Sequence, residues 1–251
     1  MKIGIMDSGI GGLTVLKECL LRLPTHVYLY YADSRNAPYG TKSQEEVYQL
    51  TKLSVNYLIK KKADIIVIAC NTATSAAARQ LREIYDTPII GMEPALKPAL
   101  ALANKKRILV TATQLTLRQQ KLQDLISMLD INAQVDFVSL TELVAFAETG
   151  NFNRNIIINF LKNALLHLNL ELYGSVVLGC THFPLFRAYF EEVFPVGTVI
   201  VDGVVGTVNR IEDFVTFESN PPSTNFFLSG IQLVEGEYFN LVQKILKMDG
   251  A

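Results

Sequence analysis

Short, uninterrupted apolar runs recur along the chain, each followed by a longer stretch with helical spacing. Ile65-Ile66-Val67-Ile68-Ala69 and Ser175-Val176-Val177-Leu178-Gly179 are the clearest of them. Neither alternates apolar with polar residues, so each predicts a strand covered on both faces, and helical crossovers between such strands indicate parallel sheets. Strands are expected at 2–6, 27–31, 64–69, 88–91, 107–111, 134–138, 175–179 and 198–201, with a late one at 225–228. Helical patterns occupy 12–23, 43–61, 74–85, 116–129, 153–168 and 234–247. The fold class is α/β.

A weak internal repeat runs through this pattern. Lys2-Ile3-Gly4-Ile5-Met6 and Arg107-Ile108-Leu109-Val110-Thr111 each lead a basic residue into an apolar strand and then a polar loop. The strands that begin at Asp64 and Ser175 each run to a cysteine, Cys70 and Cys180, which are 110 residues apart. Two similar halves with mainly parallel sheets, related by a pseudo-two-fold axis, would each supply one cysteine to a cleft between them. The chain breaks its pattern near 92–97, at Gly91, Pro94 and Pro98. The expected division is therefore a first α/β domain of residues 1–95 plus 206–251, carrying Asp7 and Cys70, and a second of 96–205, carrying Thr113, Glu148, Cys180 and His182. Residues 219–224 read as an ordinary loop.

The 251 residues are 49% hydrophobic and 19% charged, a composition that supports a sizeable core and excludes disorder. Lys and Arg number 23 against 24 Asp and Glu, so no basic excess marks a nucleic-acid binder. The clusters 60–62 and 105–107 read as solvated corners before strands. Mean hydropathy is +0.24, yet no apolar run approaches the roughly 20 residues of a membrane-spanning helix. Met1-Lys2 leads directly into the first strand, which leaves no room for a secretory leader. Three scattered cysteines make no disulfide framework, and the expectation is a reduced, cytoplasmic protein.

In open α/β sheets, ligands bind beyond the carboxyl ends of the strands. The unusual polar clusters all fall there: Asp7-Ser8-Gly9, the stretch 33–40, Cys70-Asn71-Thr72, Thr113, and Cys180-Thr181-His182. Gly9-Ile10-Gly11-Gly12 fails the dinucleotide fingerprint, because Thr14 stands where the third glycine belongs. Its backbone N–H groups remain suited to an anion, a carboxylate as well as a phosphate. Cys70 and Cys180 each follow a strand and precede an expected helix start, with Asn71 and Thr72, or Thr181, available as caps. A thiol at such a position feels the positive end of the helix dipole, which lowers its pKa. Isolated cysteines without C-x-x-C spacing do not assemble a zinc site. Cys19 lies among Leu13, Val15, Leu16 and Leu20 and reads as core. His182 can pair with the Cys180 thiol, and Glu148 can hold His182 in its tautomer. Taken alone, Glu148 reads as a surface residue, and His26 and His167 as structural or exposed.

Four blocks resemble the signatures of bacterial glutamate racemase: Asp7-Ser8-Gly9-Ile10-Gly11-Gly12, Pro38-Tyr39-Gly40-Thr41-Lys42, Ala69-Cys70-Asn71-Thr72-Ala73 and Gly179-Cys180-Thr181-His182-Phe183-Pro184-Leu185. The resemblance runs from Met1 to about Asn209 and thins beyond. It implies a cofactor-independent racemase that interconverts L- and D-glutamate and supplies D-glutamate for peptidoglycan. By resemblance, Cys70 and Cys180 are the acid/base residues on opposite faces of the substrate, Asp7 assists Cys70, His182 assists Cys180, and Glu148 contacts that histidine. Ser8, Pro38, Tyr39, Gly40, Asn71, Thr72, Thr113, Thr116 and Thr181 match positions that hold substrate. Members usually form homodimers, and some bacterial ones are reported to inhibit DNA gyrase. The chain departs from the pattern at Ala32 and Ala112, which stand for glycines, and at Asp202-Gly203 and Ser229-Gly230-Ile231. Independently of the resemblance, racemisation needs two bases facing each other across the Cα carbon, which matched halves place economically. Two rival readings remain open: the same fold acting on aspartate, another small acidic amino acid or a hydantoin, and a non-enzymatic inhibitor of a partner protein.

Overall fold

Ile65, Ile66, Val67 and Ile68 all lose essentially all contact with water, as their unbroken apolar run requires. Each such side chain contributes about 1.5–3 kcal/mol on burial. The computed structural model describes residues 1–215 and 223–248. Its strands are β1 (Lys2–Asp7), β2 (Val27–Ala32), β3 (Ile65–Ile68), β4 (Ile89–Gly91), β5 (Arg107–Ala112), β6 (Val135–Ser139), β7 (Tyr173–Leu178), β8 (Val199–Asp202), β9 (Ser223–Leu228) and β10 (Ile231–Leu233). The helices are α1 (Leu13–Arg22), α2 (Gln44–Lys60), α3 (Asn71–Ile84), α4 (Leu96–Leu102), α5 (Gln114–Arg118), α6 (Gln120–Met128), α7 (Glu142–Glu148), α8 (Arg154–Leu165), α9 (Arg187–Val193), α10 (Val204–Glu212) and α11 (Glu237–Leu246).

The strands form two sheets, in the orders β10-β9-β2-β1-β3-β4 and β6-β5-β7-β8. All pairings are parallel except that of β10 with β9. Remove β9 and β10, and the first sheet has the same order as the second, with β1 matching β5 and β3 matching β7. The sequence repeat is thus also a repeat of topology, and it puts Cys70 and Cys180 just beyond equivalent strands. Helix α10 returns the chain from β8 to pack on α1 and β4. Helix α11 also lies against α1, burying Val242 and Ile245.

Two local expectations need correction. The stretch 116–129 is two helices, because Gln119 is extended (φ −72°, ψ 133°) between α5 and α6. That break leaves Thr116 facing Thr72 while Leu122 and Ile126 of α6 pack against Ile108 and Val110 of β5. Of the loop expected at 219–224, residues 219–222 lie outside the described residues, while Ser223 and Thr224 open β9 and pair with Val27 and Tyr28. Of the two histidines that read as structural or exposed, His26 is buried and His167 is exposed. Cys19 is core, as its helical neighbours require. Among the described residues, no helix is long and apolar enough to cross a membrane.

Candidate active site

Asp7 ends β1 with its carboxyl fully buried. It accepts the Gly9 N–H at 2.9 Å on one oxygen and the Thr181 hydroxyl at 2.9 Å on the other. Burial pushes this carboxyl above the usual range, opposed in part by the charge of His182 and by those two hydrogen bonds.

The glycine-rich turn after Asp7 does receive a carboxylate, and it is the protein's own. Ile10 N–H donates to Glu148 Oε1 at 2.7 Å. A Cβ on Gly9 would fall 1.7 Å from that same oxygen, and one on Gly11 would fall 2.4 Å from His182 Nδ1. Glycine is needed here because side chains from the other half press directly on the backbone.

Cys70 is itself the N-cap of α3, its sulfur accepting the Ala73 N–H at 3.4 Å, so Asn71 and Thr72 lie inside the helix rather than capping it. The thiol also reaches Ser8 Oγ at 3.7 Å. The expected lowering by the helix end does not prevail. Burial, then the charge of Asp7, pushes the Cys70 thiol up to about 12 against the Ala73 hydrogen bond. The charge of Cys180 adds to that rise.

Cys180 leads not into a long helix but into a one-turn 3-10 segment, Phe183–Phe186, with no side-chain cap. Thr181 gives its hydroxyl to Asp7 instead of to a helix end. Cys180 Sγ lies 3.7 Å from His182 Nδ1, and His182 Nε2 lies 2.7 Å from Glu148 Oε1. Burial opposes a charged imidazole, but the hydrogen bonds and charges of Cys180 and Glu148 outweigh it and hold His182 well above its ordinary pKa. Glu148, at the end of α7, is therefore no ordinary surface residue; its side chain is 16% exposed.

Beside Cys70 lies a polar floor. Thr72, Thr113 and Thr116 are buried and mutually hydrogen-bonded at 2.9 Å. Asn71 is 2% exposed, and neither polar atom of its side chain has a partner. Such orphaned groups are costly unless something else satisfies them. The Pro38-Tyr39-Gly40 loop closes over the Thr113 side: a Cβ on Gly40 would fall 2.5 Å from Thr113 Cβ. Tyr39 is anchored by its hydroxyl, which donates to buried Asp33 at 2.7 Å.

Asp7, Thr181, His182, Cys180 and Glu148 are joined in one hydrogen-bonded network, Ser8 reaches Cys70, and Thr72, Thr113 and Thr116 lie together under Gly40, with Pro38 and Tyr39 in the same loop. Sequence reasoning missed Ser34 and Tyr238, which reach Glu148, and Tyr30, whose hydroxyl donates to Gly9 C=O at 2.7 Å. Tyr30 is one of three tyrosines on β2, so no local signal singles it out, and nothing local flags Tyr238. A cavity of about 840 Å³ lies apart, lined by residues such as Arg82, Ile90, Pro94, Asp202 and Arg210, and includes none of the candidates. Among the described residues, no cluster of three or more His, Cys, Asp and Glu side chains is arranged to hold a metal ion.

The fold is that of an α/β protein with a duplicated strand order, and residues following strands of both sheets bring thiol, carboxyl and imidazole groups together. Residues 3–211 match the family described as Asp/Glu/Hydantoin racemase, and the chain belongs to that family. It is 48% identical over 215 residues to glutamate racemase of Halothermothrix orenii, covering 86% of this chain and 85% of that one. It is 41% identical over 254 residues to glutamate racemase 2 of Bacillus subtilis, covering 99% and 96%. The fold superposes on Escherichia coli glutamate racemase, solved in complex with L-glutamate and the activator UDP-MurNAc-Ala, with a TM-score of 0.81 at 27% identity over 98% of this chain and 94% of that one.

Proposed function

We propose that the chain racemises glutamate by moving a proton between two thiols, Cys70 and Cys180. The observation that carries this reading is their placement beyond the equivalent strands β3 and β7, each with its own charged assistant. In one direction the Cys180 thiolate, stabilised by protonated His182, takes the Cα proton, and the Cys70 thiol donates its proton to the opposite face. The two sulfurs then hold each other's starting protonation state, and after product leaves Cys180 releases its proton to solvent while Cys70 takes one up, which resets the site for a further turnover in the same direction. Glu148 keeps His182 charged. Burial keeps Cys70 in the thiol form, ready as the acid. When Cys70 must act as base, an ammonium group entering beside Asp7 offsets the like charge that opposes its ionisation.

The developing negative charge at Cα and its carboxylate needs fixed donors in a site closed to water. Asn71, the Thr72-Thr113-Thr116 cluster, Ser8, Thr181 and the loop Pro38-Tyr39-Gly40 supply them in this reading, and the unpartnered amide of Asn71 is satisfied by substrate. No cofactor takes part. Domains 1–95 plus 206–251 and 96–205 close on the substrate, the active unit is a homodimer, and the product serves peptidoglycan synthesis in the cytoplasm. Proton NMR of the protein with L-glutamate in D2O tests the reading: loss of the Cα proton together with decay of optical activity, without added cofactor, is expected. Exchange confined to aspartate or a hydantoin in a parallel panel would reassign the substrate, and no exchange on any of them would overturn the reading.

A further inference from the structure

The Glu148 carboxylate is held from both halves of the molecule. Oε1 takes the Ile10 N–H at 2.7 Å and meets His182 Nε2 at 2.7 Å. Oε2 accepts the Ser34 hydroxyl at 3.2 Å, and Ser34 Oγ is in turn hydrogen-bonded to the Tyr238 hydroxyl. Ser34 follows β2, and Tyr238 is the second residue of α11, outside the family match of residues 3–211. The next residue, Phe239, stacks edge-on against Phe226 of β9 at 6.3 Å, which fixes this end of the helix on the sheet.

The last torsion of a glutamate side chain is soft, with a broad two-fold minimum. Two partners on one oxygen do not by themselves choose how the other oxygen turns. A donor on that second oxygen sets the carboxylate plane and stabilises its charge. We propose that Ser34 and Tyr238 form a hydroxyl relay that aims Glu148 at His182, so that Tyr238 is a positioning residue for proton transfer at Cys180. The proposal rests on the racemase reading above. The relay ties the C-terminal helix to the thiol through Ser34, Glu148 and His182 in turn, without any of its hydroxyls touching the Asn71–threonine floor.

The ionisable groups that face Glu148 are His182, Asp7, Tyr30 and Tyr238. Asp7 repels the carboxylate charge and His182 stabilises it. Removing the phenol hydroxyl leaves the repulsion and weakens the stabilisation. A carboxylate less well aimed at His182 does less to raise the imidazole pKa, so the alkaline limb of the activity profile moves to lower pH.

The test is Tyr238→Phe, which keeps the ring and its packing, measured as full pH profiles of racemisation with wild type and Ser34→Ala alongside. We expect kcat to fall about three- to tenfold, the loss of one hydrogen bond acting on a charged group, with KM within about twofold. The alkaline limb should move to lower pH. Ser34→Ala should reproduce both changes, and the double variant should be no worse than either single one, because all three break one relay. Unchanged kcat in Tyr238→Phe overturns the proposal. So do a fall in kcat with the alkaline limb in place, which marks a merely structural role, and additive losses in the double variant. A wild-type protein that leaves glutamate unracemised overturns the functional reading itself, and the relay with it; an active wild type beside an unaffected Tyr238→Phe overturns the relay alone.

Discussion

Glu148→Gln changes one charge at nearly constant volume, and its consequences can be worked through residue by residue. The glutamate carboxylate accepts from Ile10 N–H and faces His182 Nε2, each at 2.7 Å. A glutamine keeps one acceptor oxygen for these two donors, and it brings no charge to hold the proton on a histidine that is 1% exposed. Hydrogen bonds to charged groups contribute about 1.5–3 kcal/mol, so the expected loss in kcat/KM is about 10- to 150-fold at 1.36 kcal/mol per decade. Because enantiomers have equal free energy, kcat/KM must fall equally in both directions. The asymmetry appears in the primary isotope effect with Cα-deuterated substrate, which should rise for the enantiomer whose proton Cys180 removes. Glu148 is among the groups that raise the His182 pKa, so without it His182 deprotonates at lower pH and the alkaline limb of kcat/KM moves down. The raised pKa also contributes stability that is complete below the unfolded value and lost as pH rises through the folded one, a loss that comes earlier in the variant. Circular dichroism assays of racemisation from pH 6 to 10 check the profile. Activity within threefold of wild type with an unmoved alkaline limb would refute the assignment of Glu148 as the group that charges His182.

Gly9→Ala sets a Cβ 1.7 Å from Glu148 Oε1, so the carboxylate must withdraw; activity should fall at least tenfold while the fold persists, checked by kinetics beside thermal melting. Asp7→Asn should raise stability while abolishing activity. The folded pKa of Asp7 is raised, so its contribution is complete below the unfolded value near 3.8 and is lost as pH rises through the folded one. A neutral isostere avoids that loss, and the Thr181 hydroxyl can reverse to accept from the amide. A Tm gain of about 2–4 °C per kcal/mol at pH 7, vanishing near pH 3, is expected from calorimetry. Asn71→Ala deletes an amide with no partner in the protein, so Tm should hold or rise while KM for glutamate increases about tenfold, as saturation kinetics would show.

The α/β class was legible because buried parallel strands write unbroken apolar runs, and β3 and β7 are such runs. The repeat was legible for the same reason, since matched strands carry matched patterns. The cysteines, Asp7 and His182 were visible because each lies at the carboxyl end of a strand or in the few residues beyond it. Other features depend on distances that no local pattern encodes. The glycine turn invites an anion, but only the fold shows that the anion is Glu148, 138 residues away. The helix-dipole argument for Cys70 was sound in sign and outweighed in size, because burial beside Asp7 acts on the same thiol. Helix 116–129 looked continuous because nothing in its composition breaks it; the break follows from Thr116 bonding across to Thr72. Tyr238 sits in an amphipathic helix whose pattern shows its core face and is silent about one phenol hydroxyl reaching the site.

The central claim is that Cys70 and Cys180 serve opposite faces of one substrate carbon. Single Cys70→Ala and Cys180→Ala variants, each incubated with L-glutamate and separately with D-glutamate in D2O, test it by the fate of the Cα proton. Each variant should lose racemisation, and each should retain slow deuterium exchange with only the enantiomer whose proton faces the remaining thiol, the two variants choosing opposite enantiomers. Racemisation at wild-type rates in either variant, or exchange of the same enantiomer by both, would contradict the account.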